Sequence, residues 1–504
     1  MEAIHEMTIA QLSFNLKSKE ISPRDVLQSF MSRAKKYDRV LNVYAELLEE
    51  SAVGEALQAE REITAGQWRG PLHGVPIGLK DVFDVKGFRT AGNCRAFSDH
   101  IAMSDSDVTA ALRKAGTIII GKATTMELAL GDVHDVLHPP VRNPWDITRD
   151  PGASSSGPAA GVAACFFPGA VGTDTGSSIR QPAALCGVAG FKPTYEAVSR
   201  RGTLPISFTM DHCGPLAWSS EDCRLLLDAI ASDARIKRKV ALTNGTKLNG
   251  VRIGLVRNFY DEDLLPDDEV RACFDAGVKV FRSLGAKIAE IRLPSLQEFL
   301  HLANLIWRPE ALAFYRQRLC EDPQRFSALV TARLEGGDEV SAHDYINALR
   351  RRAKLIHDVE IIMRDVDILL TPSCPSDAPI LERDATLAFS VNYQRPFNIT
   401  GQPALSVFSG FSRAGLPLAI QIVGRCYEDD LVLRVGEAFE KATSARRHRP
   451  VLESLLKSEQ SIGKMSSPVP ITDDSRARFA KSNDDATNFI RAERMELSIE
   501  PVVL

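Results

Sequence analysis

Residues 150–194 read DPGASSSGPAAGVAACFFPGAVGTDTGSSIRQPAALCGVAGFKPT, a run of small residues that holds two serine clusters. The first cluster is Ser154–Ser156, and the second is Ser177–Ser178. The stretch between them has the pattern of a helix followed by a strand, which brings two serine-bearing turns together. Glycine, alanine and serine also allow tight turns and close backbone packing, so the composition alone is equally consistent with a structural role.

Two neighbouring serine turns would suit acyl transfer. That reaction needs a nucleophile, a group that accepts its proton, and N–H donors for the developing oxyanion. The residues by themselves leave two interpretations open, which are close packing and a serine-based catalytic site.

The composition is that of an ordinary globular protein, with 504 residues of which 44% are hydrophobic and 25% are charged. This length fits about three domains, or one large α/β domain with insertions. The net charge of −4 gives no overall field that favours nucleic acid or an anionic membrane. Nine dispersed cysteines without a CxxC pair indicate reduced thiols. The sequence also lacks a signal-peptide core and a long apolar run, so we expect a cytoplasmic protein that does not bind membranes.

Helix and strand patterns alternate along the chain. Ser22 and Pro23 have the pattern of a helix start, and a second helical stretch is predicted from 43 to 64. Short apolar strands such as 418–424 alternate with amphipathic helices, which indicates an α/β sheet covered on both faces. We therefore predict three regions, which are an N-terminal helical region that packs on the core, a catalytic α/β domain and a loosely ordered polar tail (residues 1–65, 66–455 and 456–504).

Two other motifs are considered and set aside. Residues 116–124, GTIIIGKAT, approach a phosphate-binding loop, but Ala123 replaces the hydroxyl residue and three isoleucines replace the flexible loop, so a strand is predicted. His134 and His138 are four residues apart, but no third ligand is evident and two prolines follow them. We expect neither a metal nor a cofactor.

The serine-rich block resembles the signature of the amidase signature family from Gly152 to Ala183. The segment 71–87, PLHGVPIGLKDVFDVKG, resembles the family segment that presents its lysine. Further stretches resemble the family in the same order, namely GFKPTYEAVSRRG, MDHCGP, FNITGQPALSV and GLPLAIQIVG. The resemblance covers roughly residues 5 to 450 and implies a large mixed β-sheet with helices on both faces.

The resemblance implies a Ser–cis-Ser–Lys triad, with Ser178 as the nucleophile, Ser154 as the bridging serine and Lys80 as the base. The implied oxyanion hole consists of the backbone N–H groups of Thr175, Gly176, Ser177 and Ser178. The resemblance also assigns a supporting role to Ser155, Asp174 and Arg180. Asp174 and Arg180 are interpreted as a structural pair, and Asp211 also as structural.

The implied chemistry sets physical requirements. A lysine acts as a base only when it is neutral, so the site must lower the pKa of Lys80 by about 2–3 units from its reference near 10.4. The apolar segment before Lys80 supplies desolvation, and Asp81 is predicted to point away because its charge opposes the shift. The family places a cis peptide bond before its bridging serine, here Ala153–Ser154. Ala153, Ser156 and Pro158 depart from the commoner family residues in this loop.

Three functions follow as alternatives. The first is an amidase that hydrolyses a small linear amide to a carboxylate and an amine or ammonia through a seryl acyl-enzyme. The second is the A subunit of a tRNA-dependent glutamine amidotransferase, which residues 181–202 resemble and which alone would bring nucleic acid as a partner. The third is a catalytically silent binding scaffold. Family analogy implies a homodimer, although the sequence contains no interface pattern of its own.

Overall fold

The computed structural model describes six parts of the chain (residues 3–131, 133, 136–237, 247–381, 390–443 and 448–455). The predicted polar tail, residues 456–504, lies outside the described residues, as does His134 of the histidine pair.

The described residues form one mixed sheet of eleven strands, which confirms the predicted fold class. In chain order the strands are β1 (Tyr44–Leu47), β2 (Pro76–Lys80), β3 (Ile118–Ala123), β4 (Gly169–Asp174), β5 (Ala189–Lys192), β6 (His212–Ala217), β7 (Arg252–Val256), β8 (Lys287–Ile291), β9 (Ile368–Pro372), β10 (Ala404–Phe411) and β11 (Pro417–Gly424). Their order across the sheet is β1-β3-β2-β4-β6-β5-β10-β11-β9-β7-β8.

Helices cover both faces of this sheet. Those in the described parts are α1 (Ile9–Ser18), α2 (Pro23–Leu41), α3 (Glu49–Thr64), α4 (Asp107–Ala115), α5 (Ser156–Ala163), α6 (Arg180–Cys186), α7 (Ser220–Ile230), α8 (Ala234–Lys237), α9 (Asp268–Ser283), α10 (Leu296–Glu321), α11 (Ala328–Glu335), α12 (Ala342–Ile362), α13 (Pro396–Ile399) and α14 (Asp429–Ala442). Two neighbouring residues of β11 illustrate the layers, because successive strand side chains point to opposite faces. Ile420 lies against Gly277 of α9, whereas Gln421 accepts a hydrogen bond from Arg180 of α6.

Most local predictions are confirmed. Ser22 caps α2 through a capping box with Asp25, and Pro23 is the first residue of that helix. The predicted helix from 43 to 64 is wrong at its start, since Tyr44–Leu47 forms the edge strand β1 and the helix begins only at Glu49. The reason is tertiary, because β1 pairs antiparallel with β3 and so satisfies the backbone of both strands.

The topology brings several chain segments to one edge of the sheet. Strand β2 runs parallel to both β3 and β4, so the carboxyl ends of these three strands meet. Strand β6 runs antiparallel to β4, and His212 at its start pairs with Asp174 at the end of β4. The lysine segment, both serine turns and the residues just before β6 therefore converge at this edge.

Two glycines allow helix α5 to approach the sheet closely. A Cβ atom at Gly78 of β2 or at Gly161 of α5 would lie within 3 Å of the Phe167 ring. The ring of Phe167, which is fully buried, fills the space that these glycines leave. Because α5 precedes β4 and packs on it, the start of α5 returns to the carboxyl end of that strand.

Candidate active site

Lys80 and Ser154 are in contact in the structure. Lys80 is the last residue of β2, and its Nζ lies 2.8 Å from Ser154 Oγ and 2.8 Å from Thr173 Oγ1. Lys80 and Ser154 are fully buried, and Thr173 is nearly so. A neutral amine in this position can donate one N–H to Thr173 and accept the proton of the Ser154 hydroxyl.

The surroundings of Lys80 favour that neutral form. Burial lowers the pKa of Lys80 to about 7, although the charges of Asp174 and Asp211 raise it. Asp81 is not part of this environment, because its carboxylate pairs with Lys122 at 2.8 Å. The prediction that Asp81 points away from the lysine amine is confirmed.

Lys80 differs from two other lysines that are fully buried in the described part of the chain. Lys122 forms an ion pair with Asp81. Lys192 donates to the carbonyl oxygens of Pro193 and Gln402, at 3.0 and 2.7 Å. Lys122 also lies 3.2 Å from the Thr90 hydroxyl, but its ion pair with Asp81 favours the charged amine, whereas the two partners of Lys80 are uncharged hydroxyl groups that can also donate.

The two serine turns meet at Ser155, the residue directly before α5. The Ser155 N–H donates to the carbonyl oxygen of Ser178 at 3.0 Å, and Ser155 Oγ donates to the carbonyl oxygen of Thr173 at 3.2 Å. Ser154 is held by Thr125, whose hydroxyl donates to the Ser154 carbonyl at 2.8 Å, and the Ala153–Ser154 peptide bond is cis. Ser178 is 7% exposed, whereas Ser154 is fully buried.

Asp174 closes the loop that carries Ser178. Its Oδ2 accepts the N–H of Ile179 at 3.1 Å and Arg180 Nε at 2.9 Å, while Arg180 Nη2 donates to Oδ1 at 3.0 Å. Burial raises the pKa of the Asp174 carboxyl group, but the charge of Arg180 and hydrogen bonds from Arg180 and Asn398 hold it below its usual range. The carboxylate is therefore charged, and it ties the end of β4 to the start of α6.

The guanidinium of Arg180 is buried and donates hydrogen bonds to three further acceptors. Its Nη1 donates to Gln421 Oε1 at 2.8 Å and to the Gln394 carbonyl at 2.7 Å, and its Nη2 donates to Asn398 Oδ1 at 2.6 Å. Sequence reasoning assigned no role to these partners or to Thr173 and Thr125. Thr173 lies near the end of β4 and Thr125 just after β3, and the pairing of both strands with β2 brings them to the site.

Gly176 and Ser177 complete this loop. A Cβ atom at Gly176 would lie 3.1 Å from Arg395 Nε and 3.4 Å from its Nη2, so the buried guanidinium packs directly on the glycine. Ser177 is fully buried, and its hydroxyl has no hydrogen-bond partner among the described residues. The structure leaves Gly176 no room for a larger residue without a shift of Arg395.

The structure also shows the conformation of the loop-like motif at 116–124 and the backbone contact of His138. Residues 118–123 form strand β3, and Lys122 is engaged by Asp81, which confirms the strand prediction for the loop-like motif. The backbone N–H of His138 donates to Asn93 Oδ1 at 2.8 Å. Within the described ranges, no group of three or more His, Cys, Asp or Glu side chains has an arrangement that could hold a metal ion.

Comparison with known proteins settles the family. The Amidase family model matches residues 25–433, which include every site residue described above. The chain belongs to the amidase signature family. This membership confirms the resemblance and supports a hydrolase that acts on carbon–nitrogen bonds. In the part of the chain that the structure describes, no helix combines the length and apolar character needed to cross a membrane.

Individual relatives of this amidase-family chain fall into two groups. The A subunit of the glutamyl-tRNA(Gln) amidotransferase of Alkalilimnicola ehrlichii is 35% identical over 485 residues, which cover 89% of this chain and 99% of that protein. A crystal structure of an amidase matches with a TM-score of 0.78 and 32% identity, covering 86% of this chain and 99% of that one. The peptide amidase of Stenotrophomonas maltophilia matches with a TM-score of 0.77 and 25% identity, over 89% and 99%.

Proposed function

We propose that this protein hydrolyses a small linear amide through an acyl-enzyme on Ser178. The observation that carries the proposal is the buried amine of Lys80, held 2.8 Å from the Ser154 hydroxyl beside the turn that bears Ser178. A serine hydroxyl is a weak nucleophile until a base takes its proton. With a pKa of about 7, Lys80 is able to act as that base near neutral pH.

In the acylation step, the Ser178 oxygen bonds to the amide carbonyl carbon. Its proton passes to the Ser154 oxygen, and the Ser154 proton passes to Lys80. The carbonyl oxygen becomes an oxyanion, which the backbone N–H groups of residues 175–178 stabilise. The carbon–nitrogen bond then breaks, and the leaving nitrogen takes a proton back along the same path, so the amine departs neutral.

In the deacylation step, water replaces the amine. The water oxygen bonds to the acyl carbon while its proton moves through Ser154 to Lys80. Collapse of the second tetrahedral intermediate releases a carboxylic acid and returns the proton to Ser178. Asp174 and Arg180 act in both steps by holding the loop, and Ser155 by joining the two turns.

A second candidate is favoured by the curated relatives. At 35% identity over 89% of this chain, the amidotransferase relative supports glutamine as the amide, with ammonia released for use by a partner enzyme and a tRNA-bound glutamate as the final acceptor. This comparison supports the second candidate more strongly than it supports a hydrolase that acts alone. The chemistry at Ser178 is the same in both candidates, so the substrate and the partner proteins distinguish them.

The test is a hydrolysis screen with glutamine, short aliphatic and aromatic amides, carbamates and esters. We expect ammonia or amine release from at least one amide, and its loss in Ser178→Ala. Ser156→Ala is the matched control, because this serine belongs to the first cluster and has no role in the proposed mechanism.

The outcomes separate the alternatives. Turnover of glutamine together with copurifying partner chains would establish the second candidate, and turnover of other amides by the isolated chain would establish the first. If the folded protein hydrolyses none of these compounds, or if Ser178→Ala retains full activity, the proposal is refuted and a binding scaffold takes its place.

A further inference from the structure

Asp211 occupies a junction between the Ser178 loop and a separate turn. It directly precedes β6, whose start pairs with the end of β4. Its Oδ1 accepts the hydroxyl of Thr175 at 2.6 Å, and its Oδ2 accepts the N–H groups of Ile206 and Ser207 at 2.9 and 3.0 Å. Asp211 is nearly fully buried. One carboxylate therefore fixes Thr175, a member of the proposed oxyanion loop, to the turn at 206–207.

That turn is itself anchored to two helices. Glu310 of α10 accepts hydrogen bonds from the hydroxyl of Ser207 and from both the N–H and the hydroxyl of Thr209. The hydroxyl of Tyr345 on α12 donates to the other oxygen of Glu310 at 2.8 Å. The Thr175 side chain is thus linked to the helical layer through two carboxylates, which makes its position a property of the tertiary structure.

The negative charge of Asp211 also acts on the Lys80 amine. Burial raises the pKa of Asp211 to about 6, while the hydrogen bonds from Thr175, Ile206 and Ser207 lower it, so the carboxylate is charged at neutral pH and above. Its charge raises the pKa of Lys80, as does that of Asp174, and a smaller contribution comes from Cys213.

This pair also interacts electrostatically with Cys213, Tyr315 and Arg200. Burial raises the pKa of the Cys213 thiol to about 12 and that of the Tyr315 hydroxyl well above its usual value, so both are neutral near pH 7. The positive charge of Arg200 lowers the pKa of Asp211 and also that of Cys213. The charges that act on Lys80 near neutral pH are therefore those of Asp174 and Asp211.

We propose that Asp211 is a positioning residue with two separable effects, in that its hydrogen bond orients Thr175 in the oxyanion loop and its buried carboxylate adds, together with that of Asp174, to the negative charge around the Lys80 amine. This inference rests on the proposed function, since it assigns Lys80 as the base for Ser178. It differs from a purely structural role, because a structural residue would change stability without moving the pH dependence of the reaction.

Two substitutions separate the effects. Asp211→Asn removes the charge and keeps the shape, and its amide can accept from Ile206 and Ser207 while donating to the Thr175 hydroxyl. Thr175→Val removes the hydrogen bond and keeps the Asp211 carboxyl group, which is charged at pH values well above its pKa, and Thr175→Ser restores the hydroxyl.

The probe is a fluorophosphonate, which reacts with an activated serine and requires no knowledge of the amide substrate. The Ser178 oxygen forms a bond to phosphorus, fluoride leaves with the bonding electrons, and the serine proton passes through Ser154 to Lys80. The rate is followed by the mass increase of the intact full-length protein across a range of pH. The thermal unfolding midpoint of each variant is measured in parallel.

For the unmodified protein we expect a labelling rate that rises with pH around a midpoint near 7, the pKa of Lys80. In Asp211→Asn the midpoint should fall by about one pH unit, because removal of a nearby negative charge disfavours the protonated amine. In Thr175→Val the plateau rate at high pH, where Asp211 is charged in both proteins, should fall by about tenfold, the effect of losing a hydrogen bond to a charged group. Thr175→Ser should recover the plateau.

An unchanged midpoint in folded Asp211→Asn overturns the role of its charge, and an unchanged plateau in Thr175→Val overturns the role of its hydrogen bond. If Asp211→Asn fails to fold, the threonine pair still tests the positioning effect. Absence of labelling at Ser178 in the unmodified protein would instead refute the proposed nucleophile, so the two failures are distinguishable.

Discussion

We expect the proposed activity to depend steeply on pH, because Lys80 must be neutral to act as the base. The amine is fully buried against Ser154 and Thr173, and burial lowers its pKa from 10.5 to about 7. In the proposed mechanism the neutral form is the reactive one, so kcat/KM should rise as pH rises through this pKa and level off above it. Lowering the pH from about 8 to about 5 should reduce kcat/KM roughly 100-fold, since each unit below the pKa removes a factor of ten in neutral amine.

Burial of Lys80 increases the fraction of the amine that is neutral at pH 7. A lysine with the unshifted pKa of 10.5 would be neutral at pH 7 in only about one molecule in 3,000, whereas at a pKa of about 7 half of the molecules carry the neutral amine. The difference is roughly a 1,500-fold gain in the reactive form, and it corresponds to about 5 kcal/mol of differential stabilisation between the two protonation states.

The assay is a pH profile of kcat/KM on whichever amide the screen identifies. Lys80→Ala should lose most of the rate and also the acid limb of the profile. Lys86→Ala, in which an exposed lysine is removed, serves as the matched control and should keep the profile. The reasoning is refuted if Lys80→Ala retains an acid limb with the same midpoint, because another group would then be the base.

Two further predictions concern contacts that the structure shows around the site. Lys122→Met leaves the buried carboxylate of Asp81 without its cation and should lower the free energy of unfolding by about 3–5 kcal/mol in urea denaturation. Adding Asp81→Asn should recover part of this loss, and a single variant as stable as the parent would contradict the argument. Gly176→Ala places a Cβ atom 3.1 Å from Arg395 Nε and should lower kcat by about tenfold or more, because it displaces the proposed oxyanion loop. Undiminished kcat in that variant would show that the loop tolerates the shift.

Several features of this site were accessible from the sequence. The serine-rich block, the lysine segment 71–87 and their order identified the family, and local patterns located strands such as β3 and helix starts such as Ser22. These signals are short-range, because a cap, a β-branched run or a motif is read from residues that are neighbours in the chain. The prediction that Asp81 points away from Lys80 also succeeded, on the physical ground that its charge opposes a neutral amine.

Other features depended on contacts between distant parts of the chain. The strand β1 was predicted as helix, because only its pairing with β3 decides its conformation. Thr173 and Thr125 entered the site through the parallel alignment of three strands, which no local pattern reports.

The sequence by itself determined the family, the α/β class and the chemical identity of the groups at the site, since these depend on residue types and their order. Only the tertiary structure decided which partners those groups have and how they are charged. The amine of Lys80 illustrates the reason, because its pKa is set by the water that the fold excludes and by the carboxylates of Asp174 and Asp211. Both carboxylates lie far from Lys80 along the chain, and only the fold brings them near it, Asp174 at the end of β4 and Asp211 just before β6.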